Sequence, residues 1–288
     1  MVERGNTTLS RDNFALGANP FAFDSRTEAD GQSDSTQSPW NLLSLVGDMP
    51  KSRTAESGEM KTAEKPVSTP VDAKADGHKE KPEEKAEHRH RHRESTAKAD
   101  LKKDLPAEKD LRDGDIIFVS NGMFDEGKAI QTVSKSPMTH CGVLFKEGND
   151  WMVYEAVQPV KKTPLKDFHK PDSGETYAVR RLKNADEVLT KDTLDKLHKA
   201  LQKNEGKDYD SLFGWGNDKM YCSELVWKAY YESTKLKIGK IQMVGDFDLK
   251  DPLVAKLVEA RYGKDVPVTE PTITPGAVFD SRLLKTIR

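Results

Sequence analysis

Cysteine is scarce in this chain: two residues, Cys141 and Cys222, in a length of 288. So low a count excludes a disulfide-stapled scaffold and a zinc module built on several cysteines. Long apolar runs are missing as well, and no stretch nears the roughly 18 residues that a membrane-spanning helix needs. The opening residues, Met1-Val2-Glu3-Arg4-Gly5-Asn6, lack the uninterrupted apolar stretch of a secretory signal. The expectation is a product that is cytoplasmic as made and reaches the outside, if it does, by a non-classical route. Neither sign of charge prevails: 46 Lys and Arg stand against 48 Asp and Glu, a net charge of −2. Nothing in that balance calls for a nucleic acid as partner.

Aromatic residues are absent from one long stretch. Phe14, Phe21, Phe23 and Trp40 are followed by none until Phe118. A segment so poor in large apolar side chains buries too little surface to offset the entropy of ordering it. Residues 1–110 therefore read as a disordered, charged arm, and 111–288 as the one folded domain. Residues 51–110 carry 15 Lys and Arg and 14 Asp and Glu, the composition of a solvated linker. Two features break the arm's monotony. Trp40-Asn41-Leu42-Leu43-Ser44-Leu45-Val46 is a short apolar island, either a sticky patch or a docking segment for a partner. His88-Arg89-His90-Arg91-His92-Arg93 alternates imidazole with guanidinium; the arginines would repel a cation, so a solvated basic spot is the simpler reading.

What is present lies beyond residue 110. Asp115–Ser120 reads as a buried strand, Asp125–Ser134 as a short helix and Tyr177–Leu182 as another strand. Thr190–Asn204 suits a helix with Leu194, Leu197 and Leu201 as its buried stripe. A further helix starts near Cys222, because Leu225, Val226, Ala229 and Tyr230 follow at helical spacing, with Glu224 in its first turn. Leu253–Tyr262 is a last short helix, and the end punctuated by Pro267, Pro271 and Pro275 should run extended. Between these, Thr139–Phe145 and Trp151–Val157 flank a Gly148-Asn149 loop, a hairpin signal. A two-residue loop pairs Glu147 with Asp150 and Gly142 with Glu155. His140, Gly142 and Glu155 then share one face of the sheet, with Gly142 leaving open space between the other two, and Cys141 points to the other face.

A cysteine at a helix N-terminus has its thiolate stabilised by the unsatisfied N–H groups there, and with an imidazole nearby it becomes a nucleophile at neutral pH. Cys222 supplies the thiol, His140 a base and Glu155 a group to orient the imidazole. His169 and His198 sit among lysines and compete poorly. On spacing alone the alternative stays open: an inert buried thiol, a core histidine and a carboxylate paired with a lysine.

Four motifs together carry a resemblance: Asp113-Gly114-Asp115-Ile116-Ile117-Phe118, Thr139-His140-Cys141-Gly142-Val143, Tyr154-Glu155-Ala156-Val157 and Tyr221-Cys222-Ser223-Glu224-Leu225-Val226. In this order they resemble the YiiX/YebB-like group, circularly permuted relatives of the NlpC papain-like cysteine hydrolases. In unpermuted members the cysteine comes first, in an Asp-Cys-Ser-Gly-Leu-Val type of motif; here the order is His, Glu, Cys. The resemblance covers 111–288 and implies an α+β fold, an antiparallel sheet packed on helices. It implies Cys222 as nucleophile, His140 as general base and Glu155 as third member, with Tyr221 lining the site or stabilising the oxyanion. The reaction it implies is hydrolysis of an amide through a thioester acyl-enzyme, with no metal and no organic cofactor. By analogy the substrate is peptidoglycan peptide. A lipid acyl hydrolase or acyltransferase, and an inactive binding module, are the competing expectations. An exported effector is a further one, with residues 1–50 meeting secretion machinery or an immunity partner.

Overall fold

The computed structural model describes residues 98–288. The apolar island, the His88–Arg93 run and most of the expected arm lie outside them. In chain order the elements are β1 (Ile116–Ser120), α1 (Asp125–Ser134), β2 (His140–Glu147), β3 (Asp150–Glu155), β4 (Lys161–Pro164) and α2 (Leu165–Phe168). Then come β5 (Thr176–Leu182), α3 (Ala185–Val188), α4 (Lys191–Gln202) and α5 (Cys222–Thr234). Last are β6 (Gln242–Met243), α6 (Pro252–Tyr262), β7 (Pro271–Thr272), α7 (Pro275–Phe279) and β8 (Leu284–Ile287). Six strands make one antiparallel sheet in the order β4-β3-β2-β1-β5-β8, and β6 pairs with β7.

Strand alternation divides the core in two. Ile116, Phe118, Cys141, Val143 and Phe145 face a helical layer that includes Leu225, Val226, Ala229 and Tyr230 of α5. Ile117, Val119, Leu144 and Val153 face the other way, against Leu165 and Phe168 of α2. The hairpin has the register expected of a two-residue loop, Glu147 opposite Asp150 and Gly142 opposite Glu155. Gly148 takes the left-handed φ of +62° at its first loop position, which a tight hairpin loop with glycine first requires. Gly142, however, does not leave space open. A Cβ there would lie 2.6 Å from Val153 Cγ1 and 2.8 Å from the Tyr154 carbonyl oxygen, so the glycine lets β2 and β3 approach closely.

Two strands of the six-stranded sheet were not legible in the sequence. β4 is short, basic and ends in proline, the composition that protects an exposed sheet edge and hides it from pattern reading; β8 closes the opposite edge. The proline-punctuated end is only partly extended. Thr274 Oγ1 accepts the Ala277 N–H at 3.1 Å, and α7 starts at Pro275, where a missing N–H costs nothing.

The start of the folded body also differs from the expected 111. Lys102 and Tyr177 exchange backbone hydrogen bonds of 2.9 and 2.7 Å, and Leu101 and Leu105 pack on the core. Asp100 accepts from Thr286 at 2.8 Å. These residues are polar on average, and only the sheet's exposed groups give them partners. A chain beginning at Leu111 should therefore be less stable than one beginning at Lys98, by about 2 kcal/mol for two partly buried leucines and a lost bridge. Denaturant melts of the two lengths check this.

Candidate active site

The N-terminus of α5 is clamped before it carries any chemistry. Ser223 Oγ donates to the Ile273 carbonyl at 2.7 Å, the Ile273 N–H donates to the Tyr221 hydroxyl at 3.0 Å, and that hydroxyl meets Thr272 Oγ1 at 3.1 Å. Glu224 is the third helical residue, as expected. Its Oε2 accepts the Tyr221 N–H at 3.4 Å, and Oε1 meets Lys228 Nζ at 2.7 Å. Burial pushes the Glu224 carboxyl up to about 7 against the pull of Lys228. Cys222, the first helical residue, is thereby fixed where backbone N–H groups lack intrahelical acceptors.

His140 opens β2. The hydroxyl of Thr139 just before it donates to the Val119 carbonyl at 3.1 Å and accepts the Asn121 N–H at 3.0 Å, fixing where the strand begins. The imidazole Nε2 meets Glu155 Oε2 at 2.9 Å, with both side chains buried. Phe168 of α2 lies against the ring, centroid to centroid 6.0 Å. Glu155 ends β3, and its second oxygen accepts from Thr163 Oγ1 of β4 at 2.5 Å. Cys222 lies close enough for the imidazole and the thiol to act on each other's charge. The structure thus brings together Cys222, His140 and Glu155.

The electrostatics follow from that contact. Hydrogen bonds from the Cys141 thiol, and from His140 with its charge, hold Cys222 well below the usual thiol range in spite of burial. Burial alone would lower His140; the Cys222 thiolate and the Glu155 carboxylate outweigh it, and its pKa is pushed up to about 9. At neutral pH the resting pair is thiolate and imidazolium.

Other side chains fall where sequence reasoning did not put them. His198 stacks on Phe145 at 4.5 Å and bonds the Tyr154 hydroxyl at 2.7 Å, and His169 bonds the Lys103 carbonyl at 2.7 Å. Both are structural. Tyr221 lines the cavity at Cys222, but its hydroxyl is already engaged with Thr272 and Ile273, which makes it a clamp and not an oxyanion donor. Cys141 does lie on the face opposite His140, yet that is the face on which α5 packs, so its thiol meets Cys222. Tyr209, in the loop before α5, is buried beside Cys222 and lines the cavities on either side of the site. No sequence signal marks it, because its position depends on how the loop folds back.

Comparison with known proteins now settles the lineage. Residues 110–288 match the model of the permuted papain-like amidases, the YaeF/YiiX or C92 family. The chain belongs to that family. The protein YiiX of Escherichia coli K12, itself uncharacterized, is 37% identical over 174 residues, 60% of this chain and 84% of its own length. The crystal structure of the metalloprotein YiiX from Escherichia coli O157:H7 is similar, with a TM-score of 0.57 and 38% identity, covering 62% of this chain and 97% of that one. As a C92 family member the chain is a cysteine-type amide hydrolase with the permuted papain-like fold.

For such an amidase the ion pair predicts a bell-shaped dependence of kcat/KM on pH. Activity should fall on the acid side as Cys222 takes up a proton. On the alkaline side it should fall through about pH 9, where His140 loses the proton it must give to the leaving amine. An alkaline limb near 6.5, the ordinary histidine value, would show that the pair is not formed.

Proposed function

We propose that this C92 amidase cleaves an amide whose acyl half is apolar, with Cys222 as nucleophile, His140 as acid and base, and Glu155 as the group that orients and charges the imidazole. One observation carries the choice of substrate. The cavity that opens at Cys222 is walled by Ile130 and Val133 of α1, by Val254, Leu257 and Val258 of α6, and by Phe213, Val244 and Phe247. A muropeptide, polar along its length, would leave such walls unmatched; an acyl chain would cover them, at about 25 cal/mol for each Å² of apolar surface removed from water. A second, smaller cavity lies on the His140 side, bordered by Asn121, Glu126 and Ala156. It suits the leaving amine, because His140 must protonate that nitrogen.

In this reading the Cys222 thiolate attacks the amide carbonyl, and the oxyanion meets the free N–H groups at the start of α5, with the Tyr209 hydroxyl as a further donor. The C–N bond breaks as the imidazolium proton passes to nitrogen. Water, deprotonated by His140, then cleaves the thioester and releases a carboxylic acid. The relative from strain O157:H7 is described as a metalloprotein. Among the described residues here, no three His, Cys, Asp or Glu side chains converge as metal ligands, and no step is assigned to a metal.

The same apolar walls also favour a second reading, hydrolysis or transfer of a lipid ester acyl group. One experiment separates these from the peptidoglycan expectation: the purified chain is given N-acyl amines of increasing chain length, phospholipids and muropeptides, and products are read by mass. Cleavage of the N-acyl amines that quickens with chain length, with a thioester adduct on Cys222, supports the proposal. Cleavage of muropeptides alone would overturn it.

A further inference from the structure

A charged side chain is almost never buried unless it is paired, and one in the wall of the cavity at Cys222 is paired only in part. Arg261 is the last residue but one of α6, and its side chain is 2% exposed. Nη2 donates to Glu126 Oε1 of α1, a side chain 5% exposed. The guanidinium lies over the Phe213 ring, with Cζ 4.2 Å from the centroid. Its Nε and Nη1 are buried and have no hydrogen-bond partner among the described residues. Phe213 and Arg261 both wall the cavity at Cys222, and among the described residues that do so Arg261 is the one with a fixed charge. Glu126 borders the second cavity, on the His140 side, so the ion pair stands between the two halves of the site.

We infer that Arg261 is a specificity-determining residue of this amidase: its spare N–H groups donate to one neutral oxygen, keto or hydroxyl, that the acyl chain carries beyond the scissile carbonyl. The inference rests on the reading that the acyl half of the substrate fills this cavity. A guanidinium presents its N–H donors in a rigid fork, accepts nothing and does not lose its proton in proteins. Here Nη2 has an acceptor and the other two nitrogens have none. A buried donor left unmade is costly, so a chain that brings an acceptor is favoured over one that does not. Charge decides the kind of acceptor. Glu126 already balances Arg261, and a second carboxylate would add an uncompensated negative charge among apolar walls. A keto or hydroxyl oxygen completes the fork without that cost. A plain hydrocarbon chain would cover the cavity's apolar walls but leave these N–H groups without an acceptor, and a site built to hydrogen-bond an oxygen discriminates against the analogue that lacks it. The scissile carbonyl is held at the start of α5, so the oxygen that Arg261 reads is a second one.

The test reads binding on the full chain carrying Cys222→Ala, so that no thiolate attacks an amide or a ketone. The probes are N-methyl fatty amides of one chain length, plain or with a single keto oxygen at successive carbons, and affinities are measured by calorimetry. At one position of the oxygen the amide should bind about tenfold more tightly than the plain chain. Arg261→Lys keeps a cation beside Glu126 but not the fork, and it should erase most of that preference. Arg261→Met combined with Glu126→Gln removes the buried charges together and should erase all of it, while the plain chain binds no more weakly than before. An arginine that only holds the fold would instead weaken both kinds of probe alike. Arg261→Lys covers the case in which the double variant folds poorly. A plain chain that binds and is improved by no position of the oxygen, or a preference that survives in either folded variant, would overturn the inference and leave the apolar reading standing. If neither plain nor oxygenated chains bind, the apolar reading itself falls and takes this inference with it.

Discussion

Cys222→Ala should reduce amide hydrolysis to background, a loss of about 10⁴-fold or more, while the protein stays folded. The loss is large because the thiolate forms the covalent bond on which both half-reactions depend. The stability change is small because only one sulfur's worth of packing leaves the head of α5, about 1 kcal/mol. The clamp of Ser223 and Tyr221 on Thr272 and Ile273 is untouched. The variant has a second expected signature at His140. Without the thiolate, burial is opposed by Glu155 but no longer by Cys222, and the imidazole should titrate below the value of about 9 that it has in the intact pair. Activity assays with the imidazole titration followed by NMR test both. A variant that is inactive with His140 still near 9 would mean that something other than Cys222 charges the ring.

Glu155→Gln should lower kcat by about 10²- to 10⁴-fold, less than loss of the thiol. Two effects combine. The amide carries no charge, so the imidazolium loses the carboxylate at 2.9 Å that stabilises it. The alkaline limb should accordingly move down from about 9. The tautomer is the second. If the amide turns its NH₂ to His140 Nε2, the ring proton moves to Nδ1, and the ring can no longer take a proton from the thiol. The Thr163 hydroxyl can act as donor or acceptor and so allows either orientation of the amide. Thr163→Val in the Glu155→Gln background should therefore shift the balance between the two orientations little, because the hydroxyl serves both alike, and kcat should stay close to that of Glu155→Gln. A pH profile of kcat for the two variants, beside that of the wild type, checks both steps.

The sequence by itself was enough for the hairpin and for the helix that carries the nucleophile. A two-residue loop with glycine first admits one register, so the pairing of Gly142 with Glu155 follows from counting outward along the two strands. The apolar spacing after Cys222 admitted one helix start, and Glu224 stands at its third position. These features depend on a few neighbouring residues, where local geometry leaves little choice. Order of motifs, His then Glu then Cys, was likewise enough to suggest the permuted lineage that residues 110–288 match.

What lies across the sheet was decided only by packing. Alternation put Cys141 opposite His140, but which face receives α5 is a tertiary matter, and it is the Cys141 face; hence the second thiol meets the first. Tyr221, beside the nucleophile in sequence, is turned away to hold Thr272, whereas Tyr209, distant from any motif, lines the cavities on both sides. The apolar walls come from α1, α6 and loops, elements unremarkable one by one. The β4 strand that supplies Thr163 to Glu155 is too short and too polar to show a pattern. A periodic pattern records how each segment meets water, and so it fixes which side is buried. It carries no record of which other segment does the burying, and at this site that choice sets the cavity, the second thiol and the charge on His140.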